Sequence, residues 1–267
     1  MRPAWKESSN IIQFSSLYLK CYSLTLITQR NTFSPLFFTM ISDKLKYVEE
    51  LIEKKCSECG RNRSDIVLIA VSKTQPIDVL LQAVDAGIRN FGENKAKELQ
   101  NKSESISGDF KWHFIGHLQT NKVKYIIKAS EYIHSVDSIK LAEEINIKAE
   151  ALDKKQKILL EIKTSNETAK LGLENEDEIY KTVEFCKTAG NLNLAGLMTM
   201  APYTNEKSII RKSFIKLRDI KEKLNKSGFD LSELSMGMTN DYELAIEEGA
   251  TMLRIGTAIF GEKIINN

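Results

Sequence analysis

The stretch Ile66-Val-Leu-Ile-Ala-Val-Ser-Lys-Thr74 decides how this chain is read. Its six leading residues are apolar without interruption, which is wrong for a strand with one wet face and right for a parallel strand covered on both sides. The run stops at Ser72-Lys73-Thr74, and a helical pattern follows from Gln75 to Ala86, with Pro76 suited to a first turn and Gly87 as the stop. A buried strand, a short polar turn and a helix form the unit from which parallel α/β folds are built.

The unit repeats. Further strand candidates begin near Ile88, Trp112, Tyr132, Ile158, Leu194, Glu233 and Met252. Helical segments fall between them, at about 93–104, 121–129, 138–153, 175–189, 205–227 and 240–248. An opening amphipathic helix from Ile41 sets Leu45, Val48, Leu51 and Ile52 on one stripe, with Ser42 as its N-cap and Gly60 as its stop. Eight strands joined by right-handed crossovers close into a cylinder. The expected fold is therefore α/β, a single (β/α)8 TIM-like barrel over residues 40–267. An open, doubly wound sheet is the competing architecture.

Bulk properties narrow the classes of function. The chain's 267 residues suit one barrel, and 42% apolar with 28% charged residues describes a globular protein rather than a disordered or fibrous one. Lysine and arginine number 38 against 36 acids, so the net charge of +2 gives no sign of a nucleic-acid partner. No apolar run reaches the length of a membrane span. Cys21, Cys56, Cys59 and Cys186 are too few and too scattered for an oxidised scaffold, and Cys56-Ser-Glu-Cys59 sits at a helix end instead of the helix start a redox pair uses.

Residues 1–39 stand apart. No acid occurs between Glu7 and Asp43, while Arg2, Lys6, Lys20 and Arg30 are scattered among hydroxyl and aromatic residues. The segment is read as an extension, either translated from upstream of a true start at Met40 or serving as an organelle transit peptide. The expected location is the cytoplasm, with the mitochondrion as the alternative if the extension is a transit peptide.

The chemistry gathers at strand ends. Lys73 lies just past the first strand, where barrel sites are built. The seventh strand runs into Ser235-Met-Gly-Met-Thr239, and the eighth into Arg254-Ile-Gly-Thr257. Glycines that admit a ligand close to the backbone, together with hydroxyl and amide donors, suit a phosphate, and barrels commonly place one after strands seven and eight. Taken singly, these are a solvated strand end and two ordinary βα turns. Together they describe a lysine beside a phosphate cradle, the requirement of an aldehyde cofactor held as a Schiff base, with pyridoxal 5'-phosphate (PLP) as the leading ligand. Arg254 interrupts an apolar strand end. It either contacts that ligand or forms an ion pair with Glu161 or Glu233. In Phe91-Gly-Glu-Asn94, Asn94 is a donor toward the ligand, and Glu93 reads as a first-turn helix residue. His113 and His117 lack a third metal ligand at any recognisable spacing, and His117 reads as a loop-fixing hydrogen bonder.

The segments Val71-Ser-Lys73, Asn90-Phe-Gly-Glu-Asn94, His113-Phe-Ile-Gly-His-Leu-Gln-Thr-Asn-Lys122, Ile133-His-Ser-Val-Asp137, Ser235-Met-Gly-Met238 and Arg254-Ile-Gly-Thr-Ala-Ile-Phe-Gly261 resemble, in order, the pyridoxal phosphate homeostasis protein family. The resemblance runs from about Met40 to Glu262. It implies a barrel like the N-terminal barrel of alanine racemase, with PLP on Lys73, Arg254 beside the pyridine nitrogen, and Ser235, Thr239, Gly256 and Thr257 around the phosphate. It carries over Asn94 on the ring side, and Met198 as a further pocket residue. Where many relatives have an acid, this chain has Asn240 followed by Asp241. The implied role is PLP binding in vitamin B6 homeostasis without established catalysis, with apo-enzymes as transient recipients. The alternatives are a PLP-dependent amino-acid racemase and a sensor of phosphorylated metabolites. A racemase of the related type completes its site with a second domain, for which little sequence follows Ile255. A single barrel that buries its own core is compatible with a monomer.

Overall fold

A computed structural model describes residues 40–165 and 171–261; residues 1–39 fall outside that description. The opening stretch forms β1 (Val67–Val71), and seven more strands follow: β2 (Asn90–Glu93), β3 (Lys111–Phe114), β4 (Ser130–Val136), β5 (Gln156–Glu161), β6 (Leu192–Met198), β7 (Glu233–Ser235) and β8 (Met252–Ile255). They close in the order β1 to β8, with every neighbouring pair parallel, including β8 back onto β1. The closed barrel excludes the open sheet.

Helices α1 (Ile41–Glu58), α2 (Ile77–Asp85), α3 (Ala96–Ser105), α4 (Val123–Ile126), α5 (Ile139–Glu150), α6 (Glu176–Thr188), α7 (Lys207–Lys226), α8 (Tyr242–Glu247) and α9 (Thr257–Phe260) accompany the strands. In α1 the buried residues are Leu45, Val48, Ile52 and Cys56, a stripe at helical spacing that packs this helix against α8 and α9. The hydroxyl of Ser138 accepts from the Leu141 amide and caps α5, and Asn175 caps α6 in the same way. Ser42 lies inside α1 and Met40 occupies its N-cap, so the expected cap is displaced by two residues. Cys56 is buried in the last turn of α1 with Cys59 just beyond it, both as free thiols.

Strand alternation divides the core in two. Outward residues such as Phe91, Trp112, Phe114, Ile133, Leu160 and Leu253 pack under the helices. Inward residues Ile69, Leu159, Met198 and Met252, flanked by Val67, Tyr132 and Ala195, fill part of the cylinder. Polar side chains fill the remainder. β6 and β7 approach closely because position 196 is glycine, where an added Cβ would lie 2.0 Å from the Glu233 carbonyl oxygen.

Candidate functional site

The expected site residues lie at or just beyond the C-terminal ends of β1, β2, β6, β7 and β8. Closure of the barrel makes this one mouth. β1 stands between β2 and β8, which puts Lys73 beside the loop carrying Asn94 on one flank and the turn at Gly256 on the other. A Cβ on Gly256 would come within 3.4 Å of Val71, so that turn lies directly against the end of β1.

Lys73 is exposed, and among the described residues its ammonium makes no hydrogen bond or ion pair. Its flanks are held firmly. The Ser72 amide donates to the Gly92 carbonyl at 3.0 Å and its hydroxyl to Glu93 at 2.6 Å. Thr74 adopts a left-handed backbone at φ 64°, a costly conformation for a β-branched residue. Gly116 brings the β2 and β3 loops together, since a Cβ there would lie 2.2 Å from the Asn94 carbonyl oxygen.

Beyond the Gly256 turn, the hydroxyls of Thr257 and Thr239 meet at 3.2 Å and join the turns after β8 and β7. Gly237 shapes the latter turn at φ 94°, a conformation that favours glycine. Asp241 is buried at the start of α8, where its carboxylate accepts from the Met238 amide at 2.5 Å. Its charge also supports the cationic form of Arg254. Asp241 therefore serves this corner of the barrel through both its hydrogen bond and its charge.

Arg254 and Ser235 face the barrel interior. Burial lowers the Arg254 pKa to about 10, with Asp241 and Glu161 opposing, so the guanidinium stays cationic at neutral pH. It donates to the Ser235 hydroxyl and, at 2.8 Å, to the Thr199 carbonyl. The expected alternative, an ion pair with Glu161 or Glu233, does not form. Arg254 is held by a hydroxyl and a carbonyl, Glu233 accepts from Thr251 at 2.6 Å, and Glu161 acts on the arginine only through its field.

Behind Ser235 runs a chain of hydrogen bonds absent from the sequence-based expectations. His134 Nδ1 meets Ser235 Oγ at 2.9 Å, His134 Nε2 meets His113 Nδ1 at 2.9 Å, and His113 Nε2 meets Asn90 Oδ1 at 3.1 Å. Arginine only donates, so the Ser235 oxygen accepts from it, and at the far end Asn90 Oδ1 only accepts. With both rings neutral, His113 Nε2 therefore donates to Asn90, His134 Nε2 to His113, and the Ser235 hydroxyl to His134. Burial keeps both neutral: it lowers the His113 pKa to about 3 and that of His134 well below its ordinary value, with His113 and Arg254 adding to the second shift. The available signal was the two-residue alternation of β4, which puts Tyr132 and His134 on one face, but the pairing with His113 depends on β3–β4 register.

Other expected residues keep or change their places. Met198 ends β6 and packs inside the barrel with Ile69, Leu159 and Met252, as floor rather than rim. Glu93 is the last residue of β2, fully buried, and not a first-turn helix residue; alternation turns it outward with Phe91, toward α3. His117 is a loop residue whose Nδ1 lies 3.7 Å from the Asp137 carboxylate. Glu161, ending β5, has its pKa raised to about 7, chiefly by burial and then by Asp137. The Asn94 amide keeps a buried oxygen with no partner among the described residues, a free hydrogen-bonding end beside the mouth.

The alanine racemase N-terminal domain family matches residues 60–263. The pyridoxal phosphate homeostasis protein of Aquifex aeolicus is 40% identical over 223 residues, covering 83% of this chain and 97% of the relative. The chain belongs to the pyridoxal phosphate homeostasis protein family. Its relative in Escherichia coli is 34% identical over 234 residues, 84% of this chain and 97% of that protein. Among solved structures, PipY of Synechococcus elongatus with PLP bound superposes with a TM-score of 0.74 at 30% identity, over 83% of this chain and all of PipY. An alanine racemase of Clostridium difficile shares the fold at TM-score 0.67 and 17% identity, and this chain covers 58% of it.

Proposed function

We propose that this member of the family binds pyridoxal 5'-phosphate in the mouth of the barrel and acts in intracellular vitamin B6 homeostasis, as a carrier rather than a catalyst. The observation that carries the reading is the exposed Lys73 amine on a rigid turn, at the same mouth as the convergent Thr239 and Thr257 hydroxyls. When bound, PLP supplies an aldehyde that a lysine amine can hold covalently and release. The chain's own groups fit that ligand. Thr239, Thr257 and the backbone at Gly256 offer donors for a phosphate, and the unpartnered side-chain oxygen of Asn94 offers an acceptor. Arg254, fixed as a cation by Ser235 and Thr199, opposes protonation of a pyridine nitrogen set beside it. An unprotonated ring is a poor electron sink, which suits storage over carbanion chemistry.

The recipients of this reading are apo-enzymes that take up PLP in transient encounters, and the cytoplasm is the preferred compartment. Among the described residues no helix is long and apolar enough to cross a membrane. Mass spectrometry of the endogenous N-terminus tests the location: a start at Met40 supports the cytoplasm, and a mature end produced by cleavage within residues 1–39 supports an organelle.

Function itself is tested by titrating purified protein with PLP and with pyridoxal, then incubating the PLP form with common L-amino acids in deuterated water. A carrier prefers PLP clearly over pyridoxal and leaves both Cα–H and chirality untouched. Equal affinity for the two ligands removes the phosphate cradle, and racemisation above that of Lys73→Ala makes the protein an enzyme.

A further inference from the structure

Lys102 is buried on α3, away from the ligands expected in the mouth, yet its ammonium is fully engaged. It donates to Glu93 at 2.7 Å, to Glu98 at 2.8 Å and to the backbone carbonyl of Ser72 at 2.8 Å. Each carboxylate also reaches the β1 turn. Glu93 accepts from the Ser72 hydroxyl, and Glu98 accepts from the Thr74 amide. The two residues flanking Lys73 are therefore gripped by one charged trio, through a side chain, a carbonyl and an amide. Thr74 stays left-handed at φ 64° under that grip. A strained conformation persists where its surroundings over-determine it, commonly where geometry serves function.

We propose that Lys102, Glu93 and Glu98 are positioning residues that preset the Lys73 turn before a ligand arrives. The inference rests on the reading that Lys73 is the residue that holds PLP. The physical reason is preorganisation. A lysine on a loose turn must be ordered when it bonds, and that entropy is subtracted from affinity, whereas a turn already ordered by buried charge-assisted bonds carries no such cost. The trio touches neither the phosphate corner at Thr239 and Thr257 nor Arg254, and Glu98 reaches the mouth through the Thr74 amide of the Lys73 turn.

That separation gives the test. Glu98 lies at the edge of the cluster with 19% of its side chain exposed, so Glu98→Ala removes the Thr74 acceptor without emptying the core. Amide hydrogen exchange at Thr74 in the ligand-free protein is measured first, and the clamp predicts faster exchange in Glu98→Ala and near wild-type exchange in Glu98→Gln, which keeps an acceptor. Affinities are then compared for PLP and for pyridoxine 5'-phosphate, which carries an alcohol in place of the aldehyde. Loss of one charge-assisted bond to the turn should weaken PLP binding by about tenfold and change pyridoxine 5'-phosphate binding by less than about twofold. Lys102→Arg should recover most of what Lys102→Met loses. A parallel fall for both ligands that tracks melting temperature, or an unchanged Thr74 amide, overturns the clamp. If wild-type protein binds PLP but not through Lys73, the functional reading fails, while Thr74 exchange still decides whether the trio orders the turn.

Discussion

Arg254 donates to the hydroxyl of Ser235 inside the barrel, at the head of a hydrogen-bonded chain that runs through His134 and His113 to Asn90. The expectation had placed the Ser235 side chain among the phosphate donors. In the structure its hydroxyl is fully buried and already bonded on two sides. Replacing Ser235 with alanine leaves a guanidinium N–H and an imidazole nitrogen buried without partners. The expected loss is about 1–3 kcal/mol of folding stability, read by urea denaturation, together with weaker PLP binding as Arg254 loosens.

Thr257→Ala should do the reverse. Its side chain is exposed and its contact is with Thr239, so stability should change by less than about 0.5 kcal/mol. PLP binding should weaken by about 0.5–1.5 kcal/mol while pyridoxal binding is unchanged, because only the phosphate loses a donor. Isothermal titration with both ligands separates the two effects.

The buried histidines give the fold a defined response to acid. Their ordinary pKa of 6.5 falls to about 3 for His113 and well below 6.5 for His134, so below pH 6.5 the unfolded chain binds protons that the folded one refuses. Stability must then fall as pH drops from 6.5, by up to about 1.4 kcal/mol per pH unit for each histidine. Glu161 opposes this. Its folded pKa of about 7 exceeds the ordinary 4.5, so between those values the folded state holds the extra proton. Glu93, raised chiefly by burial, opposes it in the same sense, so two imidazoles and two carboxyls pull the profile in opposite directions between about 4.5 and 6.5. Relative to wild type, Glu161→Gln should make stability rise more with pH and His113→Gln should make it rise less, in urea midpoints taken at half-unit intervals. A profile left unchanged by His113→Gln would contradict a neutral buried imidazole there.

Two glycines should resist substitution for a steric reason. Alanine at 196 drives a methyl group into the Glu233 carbonyl, and alanine at 116 drives one into the Asn94 carbonyl. Each should cost about 1–3 kcal/mol or more, since neither backbone can withdraw without opening the barrel or its loops. Gly116→Ala should also weaken PLP binding through displaced Asn94, and Gly196→Ala should mainly lower the melting temperature.

Much of the architecture was legible because a parallel barrel writes itself into sequence locally. Ile66 to Val71 is apolar throughout because both strand faces are covered, and helical spacing in Leu45, Val48 and Ile52 marks the face that packs inward. The positions of Lys73, Thr239, Gly256 and Thr257 just beyond strand ends were legible because strands and turns are written locally in the sequence. The interior was not. Glu93 reads as a helix-start acid because acids are common there, and only the position of α3 shows that Lys102, nine residues on, is its partner. His113 and His134 belong to separate strands, and their contact is decided by β3–β4 register, which no local pattern encodes.

The most direct measurement is to saturate the protein with PLP, reduce it with borohydride and map the pyridoxyl group by peptide mass spectrometry. The account predicts a single major adduct on Lys73, lost in Lys73→Ala together with the visible absorption of the bound form. An adduct confined to any other lysine, or unchanged absorption in Lys73→Ala, would contradict it.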